Sequence, residues 1–237
     1  MGIHLSGIVA AISTLPAALT VLLRHKLPLP LTLALAHVSL VGFAVALATT
    51  DYFAAHSTQL LGKTEAGQIP YWNLLLLWPY HTGLRTKLWV QRRTSTEPHW
   101  TLITDGWYIG GWPSSSKWMP PGNPSIVDCT CELPRRHSNT YLCLPTWDTH
   151  APDVQLVEDG VKWLLQQRQH GRPVYVHCAH GHGRSTVVLC AALVASGYAN
   201  SFEEAFQQVR AQRPRVKLNY RQRRTLIECA ERRSKLS

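Results

Sequence analysis

The sequence predicts an α/β domain, with a mostly parallel central sheet flanked by helices, preceded by a region of N-terminal apolar helices. Three observations carry this reading. From residue 100 onward, short β-branched and aromatic runs alternate with stretches of helical periodicity. The run 174–186, VYVHCAHGHGRST, reads as a buried strand, a tight turn and a helix start. Residues 1–50 contain no Asp or Glu, and their only Lys or Arg residues are Arg24 and Lys26.

That basic pair separates two apolar stretches, 7–23 and 27–49, each close to the ~17 to 25 residues that cross a bilayer. Two transmembrane helices are expected, and two buried core helices of a soluble protein are the alternative. A third candidate, 69–84, carries Leu74 to Leu77 between Tyr71, Trp72, Trp78 and Tyr80, aromatic ends suited to a membrane interface. It is short and contains Asn73, Pro79 and His81, so lying in the interface competes with spanning it. If it spans, Arg24 and Lys26 share the cytosolic side with Arg85, Lys87, Arg92 and Arg93. The membrane region is thus set at 1–91, a polar linker at 92–99 (RRTSTEPH) and the α/β domain at 100–237.

Within that domain the expected strands are 107–109, 126–130, 141–144 and 174–176, and 153–169 has the apolar spacing of an amphipathic helix. After the glycine-containing turn come helices 185–195, ended by Gly197, 202–212, ended by Pro214, and 220–233. A loop at the carboxyl end of a strand in such a sheet is where a ligand is expected.

The chemistry expected of 174–186 follows from its residue types. A strand that turns into a helix N-terminus aims several backbone N–H groups at one concave spot, and the helix dipole adds positive potential there. Five residues separate Cys178 from Arg184, so a loop curled around an anion can set the thiol beneath it and the guanidinium beside it. In that field a thiol loses its proton more readily than a free cysteine of pKa ~8.5. Cys178 is therefore the candidate nucleophile, and Arg184 offers a planar fork for two phosphoryl oxygens. His177, Ala179, His180, Gly181, His182 and Gly183 complete the candidate phosphate-binding loop.

Other readings compete. Zinc held by His177, Cys178, His180 and His182 would need four ligands within six residues and lacks a second cluster. A nucleotide P-loop needs a lysine and a spacing that are absent here. A purely structural cysteine leaves Arg184 and the two glycines unexplained. No metal and no other cofactor is expected.

HCAHGHGRS resembles the HC-x5-R-[ST] signature of cysteine-dependent protein-tyrosine and dual-specificity phosphatases. The resemblance extends over about 101–226: DGWYIGGWP is similar to the opening strand of dual-specificity phosphatases, SIVDCTCEL to their second core strand, and FEEAFQQVRAQRPRVKLN to the helix and R-P-x-x-x-x-N segment after their catalytic loop. It implies a cysteinyl-phosphate mechanism, with Ser185, at the position of the family's Ser/Thr after arginine, donating to the sulfur and helping it leave. His177 then orients the loop.

Displacing a phosphate ester also needs a proton for the leaving oxygen. The stretch CLPTWDTHAPD supplies Asp148 and Asp153. Asp153 is well placed to cap the helix that follows; Asp148 has no capping duty, and the family's general acid falls on it by position. Asp148 is favoured, with Asp153 as the alternative.

Six cysteines without the dense spacing of a disulfide scaffold, one of them needed as a thiolate, point to a reducing compartment. The expected location is an integral, multi-pass membrane anchor with the catalytic domain in the cytosol, since the first residues lack the features of a cleaved signal or mitochondrial presequence. The formal charge is +10, and 210–237 holds ten Lys or Arg. Nucleic acid is not the expected partner, because Tyr220 is the only aromatic there and single-strand binders interleave several. The leading substrate expectation is phosphotyrosine and phosphoserine or phosphothreonine in proteins. A phospholipid of phosphatidylglycerophosphate or phosphoinositide type is the alternative, and an inactive phosphate-binding module is a further one.

Overall fold

The computed structural model describes residues 5–235 and divides into two compact units. One comprises the chain up to Gly62 together with Ile69–Ser95; the other comprises Lys63–Gln68 and the chain from Thr96 onward.

The first unit contains α1 (Leu5–Leu23), α2 (Leu29–Ala48), α3 (Tyr71–Leu76) and α4 (Trp78–Thr94). The helices α1 and α2, of 19 and 20 residues, are long and apolar enough to cross a membrane, and most of their side chains are not buried by protein. They pack closely where Gly42 faces Ser13: a Cβ at residue 42 would collide with the Ser13 hydroxyl, the small-residue contact that lets two helix backbones approach. The hydroxyls of Ser13 and Ser39 donate to the carbonyls of Val9 and Leu35 one turn back, so neither lacks a partner. The third apolar segment does not form one helix. The chain breaks at Leu77 (φ −102°, ψ 23°), and Pro79, which has no N–H to give, sits in the first turn of α4. Neither α3 nor α4 is long and apolar enough to span. Since α4 runs to Thr94, the first three residues expected in the linker are helical.

The second unit is built on β1 (Trp100–Thr104), β2 (Trp107–Gly110), β3 (Ser125–Asp128), β4 (Tyr141–Cys143) and β5 (Val174–His177), with α5 (Val154–Gln169), α6 (Arg184–Ala195), α7 (Phe202–Gln212) and α8 (Tyr220–Ser234). The sheet order is β1-β2-β5-β3-β4; β1 pairs antiparallel with β2, and the other pairs are parallel. This is the mostly parallel α/β sheet that the alternating pattern predicts, with β1 the strand that the pattern missed. Central strands β3 and β5 are buried at every residue, as expected where helices cover both faces of a parallel sheet. Helix α6 is buried over ten of its twelve residues, Arg184 to Leu193, which explains why it is apolar all round and lacks an amphipathic stripe.

Register puts the two central strands level: Asp128 lies opposite His177. Both strands therefore end together, and the loops that follow, 129–133 and 178–183, emerge side by side at the carboxyl edge of the sheet. The unit also includes 63–68 and 96–99, which lie outside the 100–237 read from the sequence. What ties 63–68 to it is a contact between residues 65 positions apart, Lys63 and Asp128, which no local pattern records.

Candidate functional site

Cys178 follows β5 directly and is buried beneath the turn that enters α6. The Gly181 amide donates to its sulfur at 3.2 Å and the Ser185 hydroxyl at 3.4 Å. Gly181 has φ +78°, and a Cβ there would fall 2.5 Å from the Gly110 backbone. A side chain at 181 would therefore carry left-handed strain and also push the loop off β2. Burial pushes the thiol up, but the Arg184 guanidinium, the Ser185 hydroxyl and the backbone amides of Ser185 and His180 outweigh it and hold Cys178 below the ordinary thiol value.

Arg184 opens α6 and is itself buried. Its Nη2 donates to Glu132 Oε1 at 2.8 Å and its Nη1 to Glu132 Oε2 at 3.0 Å, a bidentate fork. Nη1 also donates to the Thr146 carbonyl at 2.7 Å, and Nη2 lies 3.2 Å from Asp148 Oδ1. Burial works against the cation, while Glu132 and Asp148 hold its pKa well above the usual arginine value. Glu132, in the turn after β3, fixes the plane of the guanidinium and escaped the sequence reading; its sole signal was its place in the SIVDCTCEL segment.

Asp148 sits in the loop between β4 and α5, about one-third exposed at its side chain. The next residue, Thr149, has φ +65°, a left-handed backbone unusual for a β-branched residue. Two contacts from α8 hold it there: Asn219 Nδ2 donates to the Thr149 carbonyl at 2.7 Å and Gln222 Nε2 to the His150 carbonyl at 3.0 Å. The same two residues form the capping box of α8. Asp153 caps α5, its Oδ1 accepting from the Leu156 amide at 2.9 Å.

The remaining loop residues point in different directions. His177, wholly buried, has Nε2 3.8 Å from Asp128 Oδ2; burial and the Lys63 cation outweigh Asp128 and push its pKa down. His182 hydrogen-bonds Glu97 at 2.6 Å, and its ring stacks with that of His180 at 5.9 Å. From behind, Arg213 donates to the Gly181 and His180 carbonyls at 3.2 and 2.8 Å and pairs with Glu97 at 3.1 Å. Arg213 and Asn219 are the first and last residues of the R-P-x-x-x-x-N segment noted in the sequence, where neither carried an assigned role. Among the described residues no group of three or more His, Cys, Asp or Glu stands together as a metal site would require.

A thiol with lowered pKa, a helix N-terminus and a clamped guanidinium can bind a tetrahedral oxyanion and attack its centre. The fold and this loop are similar to those of a dual-specificity phosphatase catalytic domain. Residues 124–232 match the family described as dual specificity phosphatase, catalytic domain.

Among curated proteins, phosphatidylglycerophosphate phosphatase PTPMT2 of Arabidopsis thaliana is 35% identical over 98 residues, 41% of this chain and 42% of that protein. Phosphatidylglycerophosphate phosphatase PTPMT1 of the same plant is 33% identical over 89 residues, 37% of this chain and 26% of that protein. The match thus spans less than half the length of either relative. The crystal structure of human DUSP28 has a TM-score of 0.52 at 18% identity, covering 59% of this chain and 97% of that one, and shows the likeness of fold. That of a mutant form of Tk-PTP has a TM-score of 0.50 at 27% identity, covering 59% of this chain and 99% of that one.

Proposed function

We propose that the chain is a membrane-anchored phosphoric monoester hydrolase that works through a cysteinyl-phosphate. The observation that carries this is the Cys178 thiol at the foot of α6, accepting from the Gly181 amide and the Ser185 hydroxyl beside the buried Arg184 fork. The Cys178 thiolate attacks phosphorus, the bond from phosphorus to the ester oxygen breaks, and Asp148 gives that oxygen a proton. Asp148 must first come off Arg184 Nη2; an incoming phosphoryl group competes for that same nitrogen. In the second step Asp148 takes a proton from water as the water attacks phosphorus, and the sulfur leaves as thiolate with the Ser185 hydroxyl donating to it. Loop amides and Arg184 stabilise the equatorial oxygens throughout. His177, Ala179, His180, Gly181, His182 and Gly183 supply the loop itself, and no step calls for a metal.

The substrate reading we favour is a phosphate monoester borne by a membrane lipid, of the phosphatidylglycerophosphate type. Two observations support it: the names of the two Arabidopsis relatives, and α1 and α2, which can hold the catalytic unit at a bilayer. The dual-specificity domain match supports the second reading, phosphotyrosine and phosphoserine or phosphothreonine in proteins. In either case the thiolate requires the catalytic unit to work in a reducing compartment, consistent with its six free cysteines. The test is release of phosphate from an aryl phosphate by the full chain in detergent with chelator present. Activity lost in Cys178→Ser supports the mechanism; a rate that depends on added metal would overturn it.

A further inference from the structure

The segment Lys63–Gln68 leaves the N-terminal unit after Gly62, joins the catalytic unit, and returns at Ile69. It is a tight strap: the Thr64 amide donates to the Gln68 carbonyl and the Gly67 amide to the Thr64 carbonyl, both at 2.8 Å. Its tip is fastened by the Arg135 amide, which donates to the Gly67 carbonyl at 2.8 Å. Gly67 has φ +80°, and a Cβ on it would fall 2.6 Å from the Tyr141 hydroxyl.

From the start of this strap Lys63 reaches inward, and its side chain is wholly buried. Its three donors are all used: Asp128 Oδ2 at 2.6 Å, the Thr130 carbonyl at 2.7 Å and the Thr130 hydroxyl at 3.1 Å. Asp128 is saturated in turn, accepting from the Tyr141 hydroxyl, the Thr130 amide and the Thr130 hydroxyl. A buried ion pair gives little net stability over an apolar pair of the same volume, so its presence invites a role in fixing one arrangement.

What Lys63 fixes is the turn after β3. Asp128 faces His177, the residue before Cys178, and the Cys129 amide donates to the His177 carbonyl at 2.8 Å. Two residues beyond Thr130 stands Glu132, whose carboxylate sets the plane of Arg184. One ammonium thus ties down the strand end that flanks the nucleophile and the turn that orients the phosphoryl-binding guanidinium.

We infer that Lys63 is a positioning residue for the catalytic loop, supplied by a strap that is covalently continuous with the membrane-helix unit at both ends. The inference rests on the phosphatase reading of the site. It places a determinant of turnover outside residues 124–232, the part matched to the phosphatase domain.

The test uses the full chain in detergent, with kcat on an aryl phosphate expressed per molecule recovered in the monodisperse fraction that gives a cooperative thermal melt, so that unfolded molecules do not count. Lys63→Met should lower kcat about tenfold or more with KM within about threefold, and weaken binding of orthovanadate, a transition-state analogue, by a similar factor. Lys63→Met combined with Asp128→Asn removes both charges and should recover most of the loss, because no carboxylate is left stranded. The proposal is overturned if kcat and orthovanadate affinity of the single variant stay within twofold of the parent, or if the double variant is as slow as the single although its melting temperature recovers. A parent chain that binds orthovanadate and hydrolyses no monoester would sink the phosphatase reading instead; orthovanadate affinity, measured calorimetrically, would then decide the strap on its own.

Discussion

Asp148 Oδ1 lies 3.2 Å from Nη2 of Arg184, so the carboxylate proposed to protonate the leaving oxygen faces the guanidinium proposed to hold the phosphoryl group. The other candidate, Asp153, is engaged in capping α5.

The two acids should separate by phenotype. Asp148→Asn should lower kcat by ~10²- to 10⁴-fold, most of all on esters with poor leaving groups. It should bind tungstate at least as well as the parent, because a competitor for Nη2 loses its charge. Asp153→Ala should leave kcat within about twofold and cost ~1 kcal/mol of stability, the usual loss when a capping side chain is removed. Steady-state kinetics with two leaving groups, together with a thermal melt, distinguishes them. Exchanged phenotypes would assign the acid to Asp153.

Glu132→Gln should damage both stability and phosphate binding. The substitution leaves Arg184 buried with one neutral acceptor where it had a bidentate carboxylate, and breaking a buried pair in this way costs ~3 to 5 kcal/mol. Some of that loss should appear as a lower melting temperature, and the rest as weaker tungstate binding through a guanidinium free to tilt. A variant with parental tungstate affinity would show that the loop orients Arg184 without Glu132.

The sheet, four of its five strands and every helix of the catalytic unit were legible in the sequence because each is encoded locally, by β-branched runs, 3.6-residue spacing and stops at Gly197 and Pro214. Cys178, Arg184 and Ser185 were legible for the same reason, since one short loop carries all three. Glu132 and Lys63 were not, because each acts across the fold: Glu132 reaches Arg184 from 52 positions away and Lys63 reaches Asp128 from 65. Arg213 and Asn219 were visible as the ends of the R-P-x-x-x-x-N segment, but their contacts to the loops were not. The third apolar segment misled by composition. Its leucines suit a membrane, but Leu77 and Pro79 end one helix and begin another.

Thiol chemistry gives a pH prediction whose sign is fixed by the site. Cys178 is held below the ordinary thiol value, so its alkylation by iodoacetate should have a midpoint under the ~8.5 of a free cysteine. Ser185→Ala removes a hydrogen bond to the thiolate and should raise that midpoint. Burial pushes the thiols of Cys143 and Cys229 up to about 11 and raises Cys129, Cys131 and Cys190 as well. At pH 7 the label should therefore fall on Cys178 alone, as peptide mapping can read. Equal labelling at several cysteines would remove the thiolate argument.

The substrate prediction turns on where the catalytic unit is held. If α1 and α2 anchor it in a bilayer, a lipid monoester in the same membrane meets the site at high local concentration, while a soluble phosphopeptide has to diffuse to it. That advantage belongs to the anchor, so it has to be told apart from recognition by the site. The full chain in mixed micelles, at constant detergent and varied lipid fraction, is compared on phosphatidylglycerophosphate and on two phosphopeptides, one bearing phosphotyrosine and one phosphothreonine. Specific recognition of the lipid should give a kcat about a hundredfold above either peptide at saturation, since local concentration alters the apparent KM and leaves kcat unchanged. Peptide kcat values equal to or above the lipid value would return the protein reading to first place.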